Sequence, residues 1–237
     1  MPDILTGEDP VWPATAPEPG FRAVVFDLDG VIVDSYEVMR QAFSIAYTEV
    51  VGAGEAPFAE YNRHLGRYFP DIMRIMGLPL EMEAPFVRES YRLAPEVPVF
   101  DGVAGMLREL RRRGIPLAVA TGKAGDRARA LLRQLGLLPL FDVVIGSDEV
   151  AHPKPAPDMV LRALSVLGAR PEETVMIGDA VTDLQSARGA NVAAVAAVWA
   201  GVDESVLLAA GPDAVLREPA DVLSLCAVPV PAGGGLR

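Results

Sequence analysis

Residues 24–35 read Val-Val-Phe-Asp-Leu-Asp-Gly-Val-Ile-Val-Asp-Ser, an apolar run that stops on two carboxylates, Asp27 and Asp29, with Gly30 directly behind them. A short apolar stretch ended by a glycine suits a central strand covered on both faces, and an open α/β sheet keeps its ligands at the carboxyl ends of such strands. Two residues apart in extended chain, Asp27 and Asp29 project to the same side. Like charges about 4 Å apart repel by roughly 1 kcal/mol in water and by about 4 kcal/mol at an effective dielectric near 20. A hard divalent cation on carboxylate oxygens, commonly Mg²⁺ shared with a substrate phosphate, offsets such a repulsion. Asp-Gly also marks ordinary turns, so the pair acquires meaning only beside the rest of the chain.

Working outward, residues 36–98 change to a helical period. Val38, Ala42, Ile45 and Ala46 form one apolar stripe, Ile72, Ile75 and Met76 a second, and Phe86, Val87 and Tyr91 a third, with Gly52, Gly66, Gly77 and Pro79 as interruptions. This predicts an all-helical insert of about four helices. From Val99 an α/β alternation resumes, with strands expected at 117–120, 143–145, 175–177 and 192–198 and helices between them closed by Gly114, Gly136 and Gly168. Five strands separated by helices imply a Rossmann-like, doubly wound parallel sheet. The expected organisation is therefore an α/β core over 21–35 and 99–226, with a small helical cap over 36–98 inserted after the first strand. Residues 1–20, proline-rich and without a basic or apolar signal region, read as a loose leader carrying Trp12, and 227–237 as a flexible tail.

Composition narrows the function. With 237 residues and 51% hydrophobic content the chain can bury a core and a satellite module. Its 21 basic against 32 acidic side chains, net −11, exclude a phosphate-backbone binder, since nucleic-acid affinity rests on basic surface. Arg111-Arg112-Arg113 reads as the cationic end of a helix. The single cysteine, Cys226, excludes an internal disulfide and fits the cytoplasm, as a surface or half-buried spectator. No stretch is long and apolar enough for a membrane span. Two histidines, His64 and His152, leave no His-rich metal site.

Each predicted strand end carries a polar residue: Asp27 and Asp29 after the first, Thr121-Gly122-Lys123 after the second, Lys154 between Pro153 and Pro155 beyond the third, and Asp179 with Asp183 after the fourth. One parallel sheet brings such residues to one edge. The set, DxDG at 27–30, Thr121, Lys154 and GDxxxD at 178–183, resembles the phosphatase branch of the haloacid dehalogenase superfamily, in that family's motif order. The resemblance implies that Asp27 is a nucleophile forming an aspartyl-phosphate. It makes Asp29 the acid and base, with exclusion of water by the cap expected to raise its pKa enough for the acid role. Thr121 and the Gly122 and Lys123 amides would hold phosphoryl oxygens, and Lys154 would neutralise phosphate and nucleophile. Mg²⁺ would bind Asp27, Asp179 and the Asp29 carbonyl, with Asp183 a ligand or an acceptor just outside the ligand shell.

Dehalogenases of this superfamily lack the second acidic residue of the first motif, so Asp29 favours phosphate chemistry. β-Phosphoglucomutases usually carry Glu-Asp where this chain has Gly178-Asp179, which favours hydrolysis over isomerisation. The helical cap is similar to that of phosphoglycolate-phosphatase-like members, in which Arg67 would reach a polar substrate group more readily than Arg63 or His64. The run from Gly66 to Glu83 resembles the phosphatases associated with 3-amino-5-hydroxybenzoate synthesis. That implies a phosphorylated sugar, aminosugar or aminoshikimate-type intermediate as substrate, handled by a monomer or weak homodimer. A phosphoglycolate phosphatase, a sugar phosphomutase and a non-catalytic phosphometabolite-binding module are the alternatives.

Overall fold

The structure, a computed structural model, describes residues 20–64, 66–201 and 203–226. The expected leader, Trp12 and the tail from 227 lie outside them. Six parallel strands form one sheet: β1 (Ala23–Phe26), β2 (Leu117–Thr121), β3 (Val143–Gly146), β4 (Thr174–Gly178), β5 (Ala193–Ala197) and β6 (Ala214–Leu216). Their order is β3-β2-β1-β4-β5-β6, so the winding reverses beside β1. That reversal opens a crevice at the carboxyl edge. The sixth strand corrects the expectation of five. Three residues between Pro212-Asp213 and Arg217 carry too little periodicity to read, and the strand is fixed by its neighbour: the Ala194 N–H donates to Asp213 Oδ2 at 2.7 Å.

The pleat sorts β1 side chains between two cores. Val24 and Phe26 pack in a cluster with Val103, Met106, Leu107 and Leu110 of helix α5 (Val103–Arg112). Val25 faces the other way, with Met159, Val160, Ala163 and Leu164 of α7 (Asp158–Leu167) and Leu184 and Ala187 of α8 (Val181–Gly189). Helix α6 (Gly125–Gln134) follows β2 and presents Ala128, Leu131 and Leu132 to the first cluster. Phe26 pairs in register with Val119 of β2 and Ile177 of β4, so the next residue along, Asp27, leaves the sheet level with Ala120 and Gly178.

Between β1 and α5 stand α1 (Tyr36–Val50), α2 (Phe58–Asn62), α3 (Phe69–Met76) and α4 (Glu83–Leu93). Their centre is aromatic: Phe43 stacks on Tyr61 at 4.6 Å and Phe69 on Phe86 at 4.2 Å between ring centroids. Such pairs contribute about 1 kcal/mol each beyond area burial. The stripes run differently from expectation in three places, since Ile45, Ile75 and Tyr91 are exposed. Met39, Phe43 and Met73 take up the packing instead, because the faces are set by neighbouring aromatic rings. The chain enters and leaves this helical layer side by side, Val33 bridging Val99 and the Asp34 N–H donating to Pro98 O at 3.0 Å. Cys226 is buried rather than half-exposed, and burial pushes its thiol pKa up to about 12.

Candidate active site

The carboxyl edge of β1, β2 and β4 and the underside of the helical layer enclose a cavity of 520 Å³. Asp27 is held there by its own backbone, whose N–H donates to Ile177 O at 2.9 Å, and its side chain is buried. Beyond it the chain turns tightly, the Gly30 N–H donating to Val33 O at 2.9 Å. Gly30 has φ +79°, and a Cβ there would collide with the Asp179 carboxylate. Glycine is thus required twice at this position, for the left-handed turn and for the approach of Asp179.

Lys154 reaches the same point from the loop after β3. Its fully buried ammonium lies 2.6 Å from Asp183 Oδ1 and 2.9 Å from Asp27 Oδ1, and donates to Ala120 O at 3.1 Å. Burial disfavours its charge, but Asp183 and Asp27 more than offset this and raise its pKa. Asp183 sits in the first turn of α8, where its Oδ2 accepts the Ala180 N–H at 3.0 Å. Both of its oxygens are therefore engaged, one capping the helix and one holding Lys154. A Cβ at Gly178 would overlap the Asp183 side chain, so a larger residue there would displace this pair.

Asp29 lies in a different environment. Its Oδ1 accepts the Ser35 hydroxyl at 2.5 Å, and its Oδ2 stands 3.2 Å from Lys123 Nζ. Burial alone would raise its pKa, but Lys123 and Ser35 more than offset burial, and the net shift is downward. The expectation that excluding water would raise Asp29 is corrected here: water exclusion brings Lys123 with it. The Lys123 amide donates to Thr121 Oγ1 at 3.2 Å, and Lys123 lines the cavity. Thr121, Gly122, Asp179 and Arg67 also line it, whereas Arg63 and His64 do not. His152 stands apart, its Nδ1 3.1 Å from Asp158 Oδ2.

The donor set fits a hard divalent cation. Carboxylate oxygens of Asp27, Asp179 and Asp183 lie within 4.8 Å of one another. Asp27 Oδ1, despite its distance from Lys154, accepts no hydrogen bond of acceptable geometry. Burial first, then the charges of Asp183 and Asp29 against the opposing pull of Lys154, hold Asp27 near pKa 7; burial and the charges of Asp27 and Asp183 raise Asp179 well above the carboxylate range. Such crowding is relieved by a cation on oxygens, and Asp27 and Asp179 are the carboxylates with oxygens to give.

Sequence reading missed Arg127, which lines the cavity from the first turn of α6 with its guanidinium carbon 5.2 Å from the Phe86 ring centroid. A signal existed: Arg127 is four residues before Leu131 and so shares the buried face of the helix.

This fold and edge of carboxylates, lysine and threonine coincide with what comparison finds. The family model for haloacid dehalogenase-like hydrolases matches residues 21–191. A probable phosphatase IndB of Dickeya dadantii is 37% identical over 84% of this chain and 91% of its own length. A phosphoglycolate phosphatase of Chromobacterium violaceum is 31% identical over 86% of this chain and 96% of its own length. Among solved structures, CbbY from Rhodobacter sphaeroides in complex with phosphate superposes with a TM-score of 0.74 at 26% identity, covering 86% of this chain and 99% of that one. The chain belongs to the haloacid dehalogenase-like hydrolase family, and it is one of the family's phosphatases.

Proposed function

We propose that the protein hydrolyses phosphomonoesters of small metabolites with Mg²⁺, through an aspartyl-phosphate on Asp27. The observation that carries this reading is the state of Asp27: buried at the strand end, with its Oδ1 2.9 Å from the Lys154 ammonium in an ion pair and accepting no hydrogen bond of good geometry. In this reading Asp27 attacks phosphorus, a bond forming between its oxygen and phosphorus as the bond to the ester oxygen breaks. Lys154 and Thr121 hold charge on the phosphoryl oxygens, where phosphoryl transfer gains most from positioning and electrostatics. A dianionic phosphate competes with Asp29 for Lys123. Loosening of that ion pair raises the proton affinity of Asp29, which takes up a proton from solvent, gives it to the departing alkoxide, and then accepts a proton from the water that attacks phosphorus as the bond to Asp27 breaks and phosphate is released. Asp27 and Asp179 would hold Mg²⁺, which would supply positive charge to offset the crowded carboxylates and the incoming phosphate.

The substrate belongs to the sugar, aminosugar or aminoshikimate-type phosphates of 3-amino-5-hydroxybenzoate and ansamycin synthesis, on the strength of the run from Gly66 to Glu83. Phosphoglycolate is the second reading, favoured by the Chromobacterium relative. A phosphomutase is disfavoured by Gly178, which leaves no room for a larger residue against Asp183. The net acidic surface and single buried thiol agree with a cytoplasmic monomer or weak homodimer, and among the described residues no helix is long and apolar enough to cross a membrane. Phosphate release from p-nitrophenyl phosphate with and without Mg²⁺, followed by a panel of those esters, tests the proposal. Turnover must require Mg²⁺ and be lost in Asp27→Asn. A preference for phosphoglycolate would replace the substrate assignment and leave the chemistry standing.

A further inference from the structure

Among the described residues, the buried side-chain oxygen and nitrogen atoms without a hydrogen-bond partner are Asp27 Oδ1, Asn62 Oδ1 and Arg127 Nε. All three belong to residues that line the same 520 Å³ cavity. The phosphoryl chemistry proposed above accounts for Asp27. It has no use for Asn62 or Arg127, which come from α2 of the helical layer and α6 of the core.

Arg127 is the more informative. A buried donor without an acceptor costs about 1–3 kcal/mol, more when charged, and a buried cation is ordinarily paired. The buried lysines at and beneath the cavity are paired: Lys123, which lines it, lies 3.2 Å from Asp29, and Lys154 below it lies 2.9 Å from Asp27 and 2.6 Å from Asp183. Arg127 has no carboxylate within ion-pair distance among the described residues, only the Phe86 ring 5.2 Å from its guanidinium carbon. That aromatic contact fixes the guanidinium and leaves its fork of donors unfilled. Planar donors of this kind match a carboxylate or phosphoryl group with two parallel hydrogen bonds. Asn62 Oδ1, an acceptor, complements a hydroxyl of the same ligand. At 520 Å³ the cavity has the size of a metabolite site rather than of a lone phosphate.

We propose that Arg127 forms a subsite for a second oxyanion, with Asn62 Oδ1 across the cleft accepting from a hydroxyl beside it, so that the natural substrate is a phosphomonoester carrying a further carboxylate or phosphoryl group. The inference rests on the cavity being the phosphatase site, and it adds a demand on the substrate that the phosphoryl chemistry does not make. Because Arg127 stands on the core while Phe86 and Asn62 stand on the helical layer, the second oxyanion would also report that the layer is closed over the correct molecule.

The test is a ratio of kcat/KM values, with Mg²⁺, for two matched pairs: phosphoglycolate against 2-hydroxyethyl phosphate, and a sugar bisphosphate against its monophosphate. Wild-type protein should favour the more anionic member of one pair by at least about tenfold, the scale of a charge-assisted hydrogen bond. The pair that shows the preference identifies the second group as carboxylate or phosphoryl. Arg127→Gln should lower that ratio at least about tenfold, chiefly through KM, and Arg127→Lys should keep part of it. The Lys variant and the wild-type ratio stand even if the Gln variant fails to fold. Turnover of p-nitrophenyl phosphate with no preference in either pair, or a ratio untouched by Arg127→Gln, would overturn the subsite while sparing the phosphatase reading. Absence of Mg²⁺-dependent turnover on every ester would overturn both.

Discussion

At the scale of single residues, the two aspartates of the first strand end differ because of what stands beside each. Asp27 faces Asp183, Asp179 and Lys154, and with burial the balance leaves its pKa near 7. Asp29 faces Lys123 and Ser35 and is held ionised. Replacing Asp27 by Asn removes the proposed nucleophile and one like charge together. Turnover should fall by at least about 10³-fold, while thermal unfolding without metal should occur no lower than in wild type. Lys154→Met acts in the opposite sense on stability. It strands Asp27 and Asp183 in a site where neither is solvated, and should cost about 3–5 kcal/mol in denaturant unfolding. A loss below about 1 kcal/mol would mean that the buried carboxylates are protonated at neutral pH and need no counter-ion. The sequence could suggest that both aspartates matter, but not that they would diverge. Apart from Ser35, six positions on from Asp29, their divergence comes from side chains more than ninety positions away, and Lys123 was visible only as a neighbour of Thr121.

At the scale of elements, strand ends were the legible part. Apolar runs that stop on Asp27, Thr121 and Asp179 mark where β1, β2 and β4 leave the sheet, because a parallel strand is apolar until its chain emerges. β6 was illegible at three residues, and Arg127 was overlooked because its helix was read only for its apolar stripe. The contact between layers could not be read from sequence at all. A Cβ on Gly122 would stand 2.6 Å from Gly66 O and 2.8 Å from Arg67 O, so backbone of the helical layer rests directly on the turn after β2. Gly122→Ala should therefore prop the layers apart without touching either core. We expect kcat/KM to fall about 10- to 100-fold, since displacements near 1 Å cost that much, with an unfolding midpoint close to wild type. Unchanged kinetics would mean that the layers need not meet during turnover.

At the scale of the whole molecule, the carboxylate cluster links stability to pH and metal. Asp27 binds its proton more tightly in the folded chain than in the unfolded one, with a pKa near 7 against its ordinary 3.8. Between these values Asp27 holds more proton in the native state than in the unfolded state, so its own contribution to metal-free stability is fully present below its ordinary pKa and is lost as pH rises through 7. Asp179 shifts in the same direction and adds to the effect. Mg²⁺ displaces those protons, so its affinity should rise from pH 5 to pH 8, and so should the increase in melting temperature at fixed Mg²⁺. Thermal melts with EDTA and with Mg²⁺ across that range check both signs, and a Mg²⁺ effect independent of pH would place the cation elsewhere.

Covalent chemistry at Asp27 is the centre of the account, and trapping the intermediate tests it most directly. Protein turning over a phosphomonoester with Mg²⁺ is quenched and reduced with borohydride, which converts an aspartyl-phosphate to homoserine, and the peptide spanning residues 24–35 is examined by mass spectrometry. The account predicts homoserine at position 27, dependent on substrate and Mg²⁺, and none at position 29. An unmodified Asp27 under conditions of full turnover, or homoserine at another carboxylate, would contradict it.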